Sequence, residues 1–193
     1  KPVETEKLFP DKFQGTLFIG DSRTVGLHEY GHLESADVFA DSGMSVFNLW
    51  SSEVNSGGQR VTLQQILSQK SYQTIHLMLG INELGYSMDL IAEKYREAVG
   101  KIRDMQPQAV IVLGANLHVT EKQSASSNIF NNRKINEVND EIERISREMD
   151  CKYIDINEKF DDGSGNLAKE YSVDGSHILG KYYADWVKWL QEK

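Results

Sequence analysis

The chain has 193 residues, a length that suits one domain with a substantial core. Its formal net charge of −8 argues against a nucleic-acid partner, because binding to a phosphate backbone needs clustered Lys and Arg. No apolar run approaches the roughly 20 residues of a membrane-spanning helix, so we expect no transmembrane segment in this chain. The single cysteine, Cys151, excludes an intrachain disulfide and a cysteine-rich metal site.

The first ten residues, KPVETEKLFP, are polar and end in proline, as a linker does. We expect residues 1–14 to form an N-terminal extension and residues 15–193 to form one folded domain. The chain starts with Lys1 instead of Met, which is typical of a trimmed product. This favours an extracellular or cell-surface location, with a cytoplasmic location and a deleted neighbouring domain as alternatives.

Apolar runs alternate with helical patterns along the chain. The runs predict five strands, at residues 17–19, 37–40, 74–79, 109–113 and 152–156. Helical periodicity predicts five helices, at residues 23–30, 61–69, 88–105, 127–149 and 178–190. Continuous apolar strands that alternate with helices are typical of a parallel sheet covered on both faces. We therefore predict an α/β domain with a five-stranded, doubly wound sheet of flavodoxin-like order.

Four of the predicted strands end in polar or glycine-rich segments. In open α/β sheets, functional sites form outside the carboxyl ends of the strands. The four segments are Gly20-Asp21-Ser22, Asp41-Ser42-Gly43, Gly80-Ile81-Asn82 and Gly114-Ala115-Asn116. The candidate functional residues are therefore expected at one edge of the sheet.

A serine nucleophile needs a base, a group that orients the base, and donors for the oxyanion. Ser22 stands at a strand-to-helix junction, where a helix amino end supplies free N–H groups. Asp174 precedes His177 by three residues, so one loop can pair a carboxylate with an imidazole nitrogen. Gly43 offers an unobstructed backbone N–H, and Asn82 offers an amide N–H. Each residue alone also fits a turn, a cap or a surface pair, and their shared placement favours catalysis.

Four segments together resemble the sequence blocks of the SGNH hydrolases, the GDSL esterase/lipase family. GDSR, DSGMS, GINE and DGSH are similar to blocks I, II, III and V of that family. They extend over residues 20–177 and so cover most of the domain. The resemblance implies the SGNH hydrolase fold, a single-domain three-layer α/β/α sandwich with five parallel strands. It also implies activity on ester bonds without a cofactor.

The resemblance also implies a role for each matching residue. Ser22 is implied as the nucleophile and, through its backbone N–H, as the first oxyanion donor. Gly43 is implied as the second oxyanion donor and Asn82 as the third. His177 is implied as the general base, and Asp174 as the carboxylate that orients it.

Two residues depart from the usual family pattern. Arg23 stands where a leucine commonly follows the nucleophile, and we expect it on the helix surface, with a charge near the pocket as the alternative. Glu83 stands where an aspartate commonly follows the block III asparagine. This departure leaves the Asn82 amide in place but changes the hydrogen bonding expected around it.

Other motifs favour structural roles. The segment HEYGH, residues 28–32, matches a zinc-protease pattern, but Gly31 interrupts the helix and no third ligand is evident, so we expect no metal site. The segment DDGSGN lacks the ligand spacing of a calcium loop and predicts a surface turn. We expect His76 in the core or at a strand edge, and His118 in an exposed loop, with a place lining the cleft as the alternative for His118. The aromatic residues of the last helix are expected to pack inward: Tyr182, Tyr183, Trp186 and Trp189.

The sequence thus predicts a cofactor-independent serine esterase acting on a small-molecule or glycan ester. The loops expected to rim its cleft are polar, with scattered aromatic residues such as Phe47, Trp50 and Tyr86. Such walls suit an ester of a short acyl group, acetyl in particular, with a carbohydrate alcohol. A cell-wall carbohydrate is one candidate for that alcohol. A lipase or lysophospholipase, an O-acyltransferase and a non-catalytic glycan-binding module are the alternatives. The sequence does not predict the oligomeric state.

Overall fold

A computed structural model describes residues 7–33 and 35–193. The strands are β1 (Thr16–Gly20), β2 (Asp37–Ala40), β3 (Glu53–Ser56), β4 (Gln59–Thr62), β5 (Thr74–Met78), β6 (Val110–Gly114) and β7 (Lys152–Ile154). Five of them form one parallel sheet in the order β2-β1-β5-β6-β7. Counted along the chain, these five strands follow the order 2-1-3-4-5, so the predicted flavodoxin-like sheet is confirmed.

Helices cover both faces of this sheet. They are α1 (Ser22–Tyr30), α2 (Leu63–Gln69), α3 (Met88–Met105), α4 (Glu121–Ala125), α5 (Asn132–Glu148), α6 (Asn157–Phe160) and α7 (Tyr183–Gln191). Among the residues that the structure describes, none of these helices combines the length and the apolar character needed to cross a membrane.

The core has two parts because successive side chains of a strand point to opposite faces. Leu17 of β1 belongs to a cluster with residues of α2, α3 and α5. Phe18, the next residue, belongs to a second cluster with Leu27 of α1 and Trp186 of α7. Tyr183 and Trp189 of the last helix are buried in the second cluster too. The three-layer α/β/α sandwich is therefore confirmed.

The N-terminal segment packs against the domain from Leu8 onward. The Leu8 N–H donates to the carbonyl of Lys193 at 3.0 Å, and Phe9 stacks on Phe18 with ring centroids 5.9 Å apart. Phe13 is buried as well. The packed chain thus begins before residue 15, where we expected the domain to start. The first part of the expected extension, residues 1–6, lies outside the described residues.

Three predicted helix starts were wrong. Helix α7 begins at Tyr183 instead of residue 178, because Gly180–Tyr182 form a separate turn of 3-10 helix. Residues 53–62 form an antiparallel hairpin of β3 and β4, whose turn holds Gly57 and Gly58 at φ 60° and 85°. Helix α2 begins at Leu63 instead of residue 61. Thr62 is its N-cap residue and forms a reciprocal capping box with Gln65. Helix α5 begins at Asn132 instead of residue 127, because the side chain of the preceding Asn131 caps it.

Candidate active site

The junction of β1 and α1 places Ser22 at the carboxyl edge of the sheet. A Cβ atom on Gly20 would lie 2.0 Å from Oγ1 of Thr24, so only glycine lets the strand pass directly into the helix. Asp21 caps the helix, with its Oδ1 accepting the N–H of Arg23 at 3.0 Å. Ser22 is the first residue of α1, and its backbone N–H has no acceptor within the helix.

Ser22, His177 and Asp174 form one hydrogen-bonded chain. The Ser22 Oγ lies 2.9 Å from Nε2 of His177, although 155 residues separate them in sequence. Nδ1 of His177 lies 2.8 Å from Oδ2 of Asp174. A carboxylate on Nδ1 favours a proton there, which leaves the lone pair of Nε2 facing the serine hydroxyl. The three predicted residues are therefore brought together in the geometry of a nucleophile, a base and an orienting group.

The loop around Asp174 keeps this carboxylate ionised and fixed. Its Oδ1 accepts the backbone N–H groups of Ser176 and His177 at 2.7 and 2.8 Å. The hydroxyl of Ser172 also donates to it, at 3.2 Å. Burial alone would raise the pKa of Asp174, but these N–H groups and the imidazole outweigh it and hold the pKa well below its usual range.

Gly43 and Asn82 are also brought together, but their donors already have acceptors. The Gly43 N–H donates to Oδ1 of Asp41 at 3.0 Å. Nδ2 of Asn82 donates to the carbonyls of Ser42 and Met44 at 3.1 and 2.8 Å. Both residues are exposed at the sheet edge. An oxyanion would therefore have to share these N–H groups with their present acceptors, or replace those acceptors. The oxyanion roles of Gly43 and Asn82 stay predictions.

Glu83 makes a link that the sequence did not indicate. Its side chain is fully buried, and Oε1 accepts the N–H of Val46 at 2.7 Å. Burial, with a smaller contribution from the nearby carboxylate of Asp21, outweighs the hydrogen bond from the Val46 N–H and raises the pKa of Glu83 to about 7. Glu83 and Val46 are 37 positions apart in the sequence, so local sequence patterns do not reveal this contact.

Arg23 lies in the interior, so its expected place on the helix surface was wrong. Only 1% of the residue is exposed, and Nη1 lies 3.8 Å from Oδ1 of Asp21. Burial raises the pKa of Asp21, and the adjacent guanidinium partly offsets that effect. A buried guanidinium needs such a compensating charge. The buried pair of Asp21 and Arg23 flanks Ser22 in the sequence.

His118 is buried, so the expectation of an exposed loop was wrong. Its Nδ1 lies 2.9 Å from Oδ1 of Asp161, and Nε2 lies 2.7 Å from Oδ1 of Asn136. Burial lowers the pKa of His118, but the bonds to these two acceptors outweigh it, and the pKa is raised. This network joins the segment after β6 to α5 and to the end of α6. His76 is buried in the core, as expected.

The remaining sequence motifs have structural settings. Helix α1 ends at Tyr30, and His32 has a φ of 55°, so His28 and His32 do not share a helical face. Within residues 7–33 and 35–193, no group of His, Cys, Asp and Glu side chains is arranged to hold a metal ion. In DDGSGN, Asp162 accepts the backbone N–H groups of Ser164 and Asn166, which forms a turn.

A family model for the GDSL-like Lipase/Acylhydrolase family matches residues 18–184. The chain belongs to this family. The match covers the β1–α1 junction and the loop of Asp174 and His177, and it identifies the protein as an ester-bond hydrolase. A comparison with curated protein sequences finds no match.

Solved structures of this hydrolase type share the fold at low sequence identity. A GDSL-like lipase from Bacteroides thetaiotaomicron VPI-5482 is 13% identical, with a TM-score of 0.69 over 92% of this chain and 85% of that one. The acetyl xylan esterase AlAXEase is 15% identical, with a TM-score of 0.67 over 90% and 96%. Axe2, an acetylxylan esterase from Geobacillus stearothermophilus, is 17% identical, with a TM-score of 0.61 over 95% and 94%. At these identities the likeness shows the common fold.

Proposed function

We propose that the protein is a serine esterase that removes short acyl groups, acetyl in particular, from a carbohydrate or cell-wall substrate. The observation that carries the proposal is the chain of contacts from Ser22 through His177 to Asp174, at 2.9 and 2.8 Å. Family membership supports ester hydrolysis, and the acetylxylan esterases among the structural neighbours are a reason to test acetylated sugars first.

The reaction follows from the positions of these three side chains. Ser22 Oγ attacks the ester carbonyl carbon while Nε2 of His177 takes its proton, and Asp174 stabilises the imidazolium. The tetrahedral intermediate expels the alcohol, which receives the proton from His177. Water then attacks the acyl-enzyme with His177 again as the base, and the carboxylic acid leaves as Ser22 regains its proton.

The oxyanion requires donors next to Ser22. We assign them to the backbone N–H of Ser22, the backbone N–H of Gly43 and the side-chain amide of Asn82. For Gly43, the oxyanion would replace a carboxylate oxygen of Asp41, which is exposed and already marks that N–H as a donor to anionic oxygen.

The surroundings of the triad favour a hydroxyl-rich alcohol. The side chains of His177 and Asp174 are 45% and 57% exposed, so the site is open enough for part of a polymer. A cleft of about 700 Å³ lies beside Asp174. Leu167 and Val173 form apolar parts of its lining, and Asp174 is the one triad residue that lines it. Its polar lining residues include Thr120, Lys122, Gln123, Lys169, Glu170 and Ser172.

Two aromatic residues lie in the segments that follow β2 and β5. The rings of Phe47 and Tyr86 are 4.5 Å apart, and Tyr86 is 57% exposed, so it offers a face to a sugar ring. Trp50, which we expected at the cleft, instead packs near α3, where Nζ of Lys101 lies 5.4 Å from its ring centroid. The aromatic contribution to substrate binding is therefore assigned to Phe47 and Tyr86.

The test is a substrate panel measured as kcat/KM. It consists of p-nitrophenyl esters with acyl chains of two to twelve carbons, O-acetylated xylo-oligosaccharides and lysophospholipid. We expect the highest values for two to four carbons and clear release of acetate from the sugar. Each buried methylene contributes about 0.8 kcal/mol where it finds an apolar site. A kcat/KM that rises beyond six carbons would therefore overturn the acetyl proposal in favour of a lipase or lysophospholipase.

A further inference from the structure

Two loops meet beside the nucleophile along a series of contacts. The first is the segment after β2, residues 41–48, which we call the β2 loop. The second is the turn after β5, which carries Asn82 and Glu83 as consecutive residues. Asn82 donates to carbonyls of the β2 loop, and Glu83 accepts the N–H of Val46 in the same loop. Two of the proposed oxyanion donors are therefore joined by this contact, since Gly43 lies in the β2 loop and Asn82 in the turn after β5.

Among these contacts between the two loops, the one from the Val46 N–H to Glu83 is buried. Val46 is 3% exposed and Glu83 is fully buried, whereas Asn82 is exposed. Within the described residues, Oε2 of Glu83 has no hydrogen-bond partner. An apolar side chain of similar size would avoid the cost of burying a carboxyl group, but it could not accept the Val46 N–H. The Glu83 side chain therefore supplies an acceptor for the Val46 N–H that an apolar side chain could not supply.

We propose that Glu83 is a positioning residue for ester hydrolysis. Through Val46, its carboxyl oxygen holds the β2 loop against the turn of Asn82, so that the Gly43 N–H and the Asn82 amide act together on the oxyanion. Glu83 itself does not contact substrate. This inference rests on the proposed oxyanion roles. A displacement of about 1 Å at a catalytic group costs on the order of 100-fold in rate, so a loose β2 loop is expected to lower kcat.

The test compares Glu83→Ala with Glu83→Gln on p-nitrophenyl acetate. Alanine removes the acceptor, and we expect kcat to fall about 10- to 100-fold with KM changed less than about threefold, since the lost contribution belongs to the transition state. Glutamine keeps an oxygen acceptor at the same reach, and we expect it to restore kcat to within about threefold of the wild type. A Glu83→Gln variant no more active than Glu83→Ala would overturn the proposal.

A matched control separates positioning from stability. Gln106 is also buried, at the end of α3 opposite to the site. Its Oε1 accepts the N–H of Tyr72 at 2.9 Å, and its Nε2 donates to the carbonyls of Leu67 and Lys70. We expect Gln106→Ala to lower Tm at least as much as Glu83→Ala while kcat stays unchanged. An equal loss of kcat in Gln106→Ala and Glu83→Ala would overturn the proposal.

A second pair of variants decides the matter if Glu83→Ala does not fold. Glu83→Asp keeps the charge but shortens the side chain, whereas Glu83→Gln keeps the length and removes the charge. We expect a higher kcat for glutamine, and a kcat for aspartate equal to or above it would overturn the proposal. Ser22→Ala is measured beside them. Activity retained by Ser22→Ala would contradict the proposed nucleophile, which is an outcome separate from the comparison at Glu83.

Discussion

The hydroxyl of Ser22 is placed by two separate parts of the chain. Ser22 is the first residue of α1, and the loop of Asp174 and His177 brings Nε2 of His177 to 2.9 Å from its Oγ. The short Asp-x-x-His spacing lets Asp174 accept the backbone N–H of His177 as well as contact its imidazole. One carboxylate thus bonds to both the backbone and the ring of His177.

Replacing the nucleophile tests the proposed chemistry most directly. Ser22→Ala should lower kcat by at least about 1,000-fold on p-nitrophenyl acetate, because loss of a triad member removes the covalent route. Its Tm should match that of the wild type, since the side chain is only partly buried. Ser164→Ala, in the turn of residues 161–166, serves as the control and should keep full activity. More than a few per cent activity in Ser22→Ala would contradict the assignment.

The orienting carboxylate gives a second prediction. Asp174→Asn should lower kcat by about 1,000- to 10,000-fold near pH 7, because an amide at this position stabilises the wrong tautomer of His177. The pKa of Asp174 lies well below its usual range, so the carboxylate stays ionised between pH 5 and 8 in the wild type. The carboxyl group of Glu83, with a pKa of about 7, also titrates in that interval, so the profile is measured in Glu83→Gln as well. A rise of kcat/KM that persists in Glu83→Gln is expected from a general base other than Glu83.

The control for this prediction is Asp37→Asn, since Asp37 accepts the Tyr72 hydroxyl and the Lys70 ammonium group at the start of β2, at the opposite edge of the sheet. It should leave kcat and its pH profile unchanged. A flat wild-type profile from pH 5 to 8, or full activity of Asp174→Asn, would argue against a histidine base held by a carboxylate.

At the scale of elements, the site depends on how closely a strand and a helix can follow each other. Gly20 ends β1 where Thr24 of α1 leaves no room for a side chain. Gly80 has the same function after β5, with a φ of 133° and Nδ2 of Asn116 only 2.6 Å from where its Cβ would lie. The glycines of the two sequence blocks are therefore explained by packing at the sheet edge.

Gly20→Ala should therefore be costly. The added methyl group would overlap Oγ1 of Thr24, and we expect a loss of about 1–3 kcal/mol in the free energy of unfolding, together with lower kcat as Ser22 shifts. Gly100→Ala is the matched control. Gly100 lies within α3, where a Cβ would meet only Cε of Met149 at 3.9 Å, so this change should be neutral or stabilising. Equal stability of both variants, measured by urea unfolding, would contradict the argument.

The central sheet could be predicted because its strands are continuous apolar runs and their exits carry glycine and polar residues. The hairpin of residues 53–62 was missed because Val61 continues the apolar spacing of α2, although Gly57-Gly58 is a hairpin-turn signal. The burial of Arg23 and the contact of Glu83 with Val46 could not be predicted, since both depend on residues that only the folded sheet edge brings together.

At the scale of the molecule, the buried titratable groups set how stability depends on pH. His76 lies in the sheet and contacts the rings of both Phe9 and Phe18, with centroid distances of 6.0 and 5.3 Å. Burial lowers its pKa to about 3, so it stays neutral in the folded protein through mildly acidic conditions. In the unfolded chain the histidine takes up a proton near its ordinary pKa of about 6.5.

The sign follows from proton uptake. Because the pKa of His76 is lower in the folded state than in the unfolded one, its contribution to stability is fully present above about pH 6.5 and is lost as the pH falls toward 3. The slope is at most about 1.4 kcal/mol per pH unit for one proton. His76→Leu should therefore lose less stability than the wild type between pH 7 and pH 4.5, as measured by urea unfolding at both values. His28→Asn, a change at an exposed histidine, should follow the wild type. If His76→Leu declines as steeply as the wild type, another group causes the acid sensitivity and His76 is not the neutral core residue that its burial indicates.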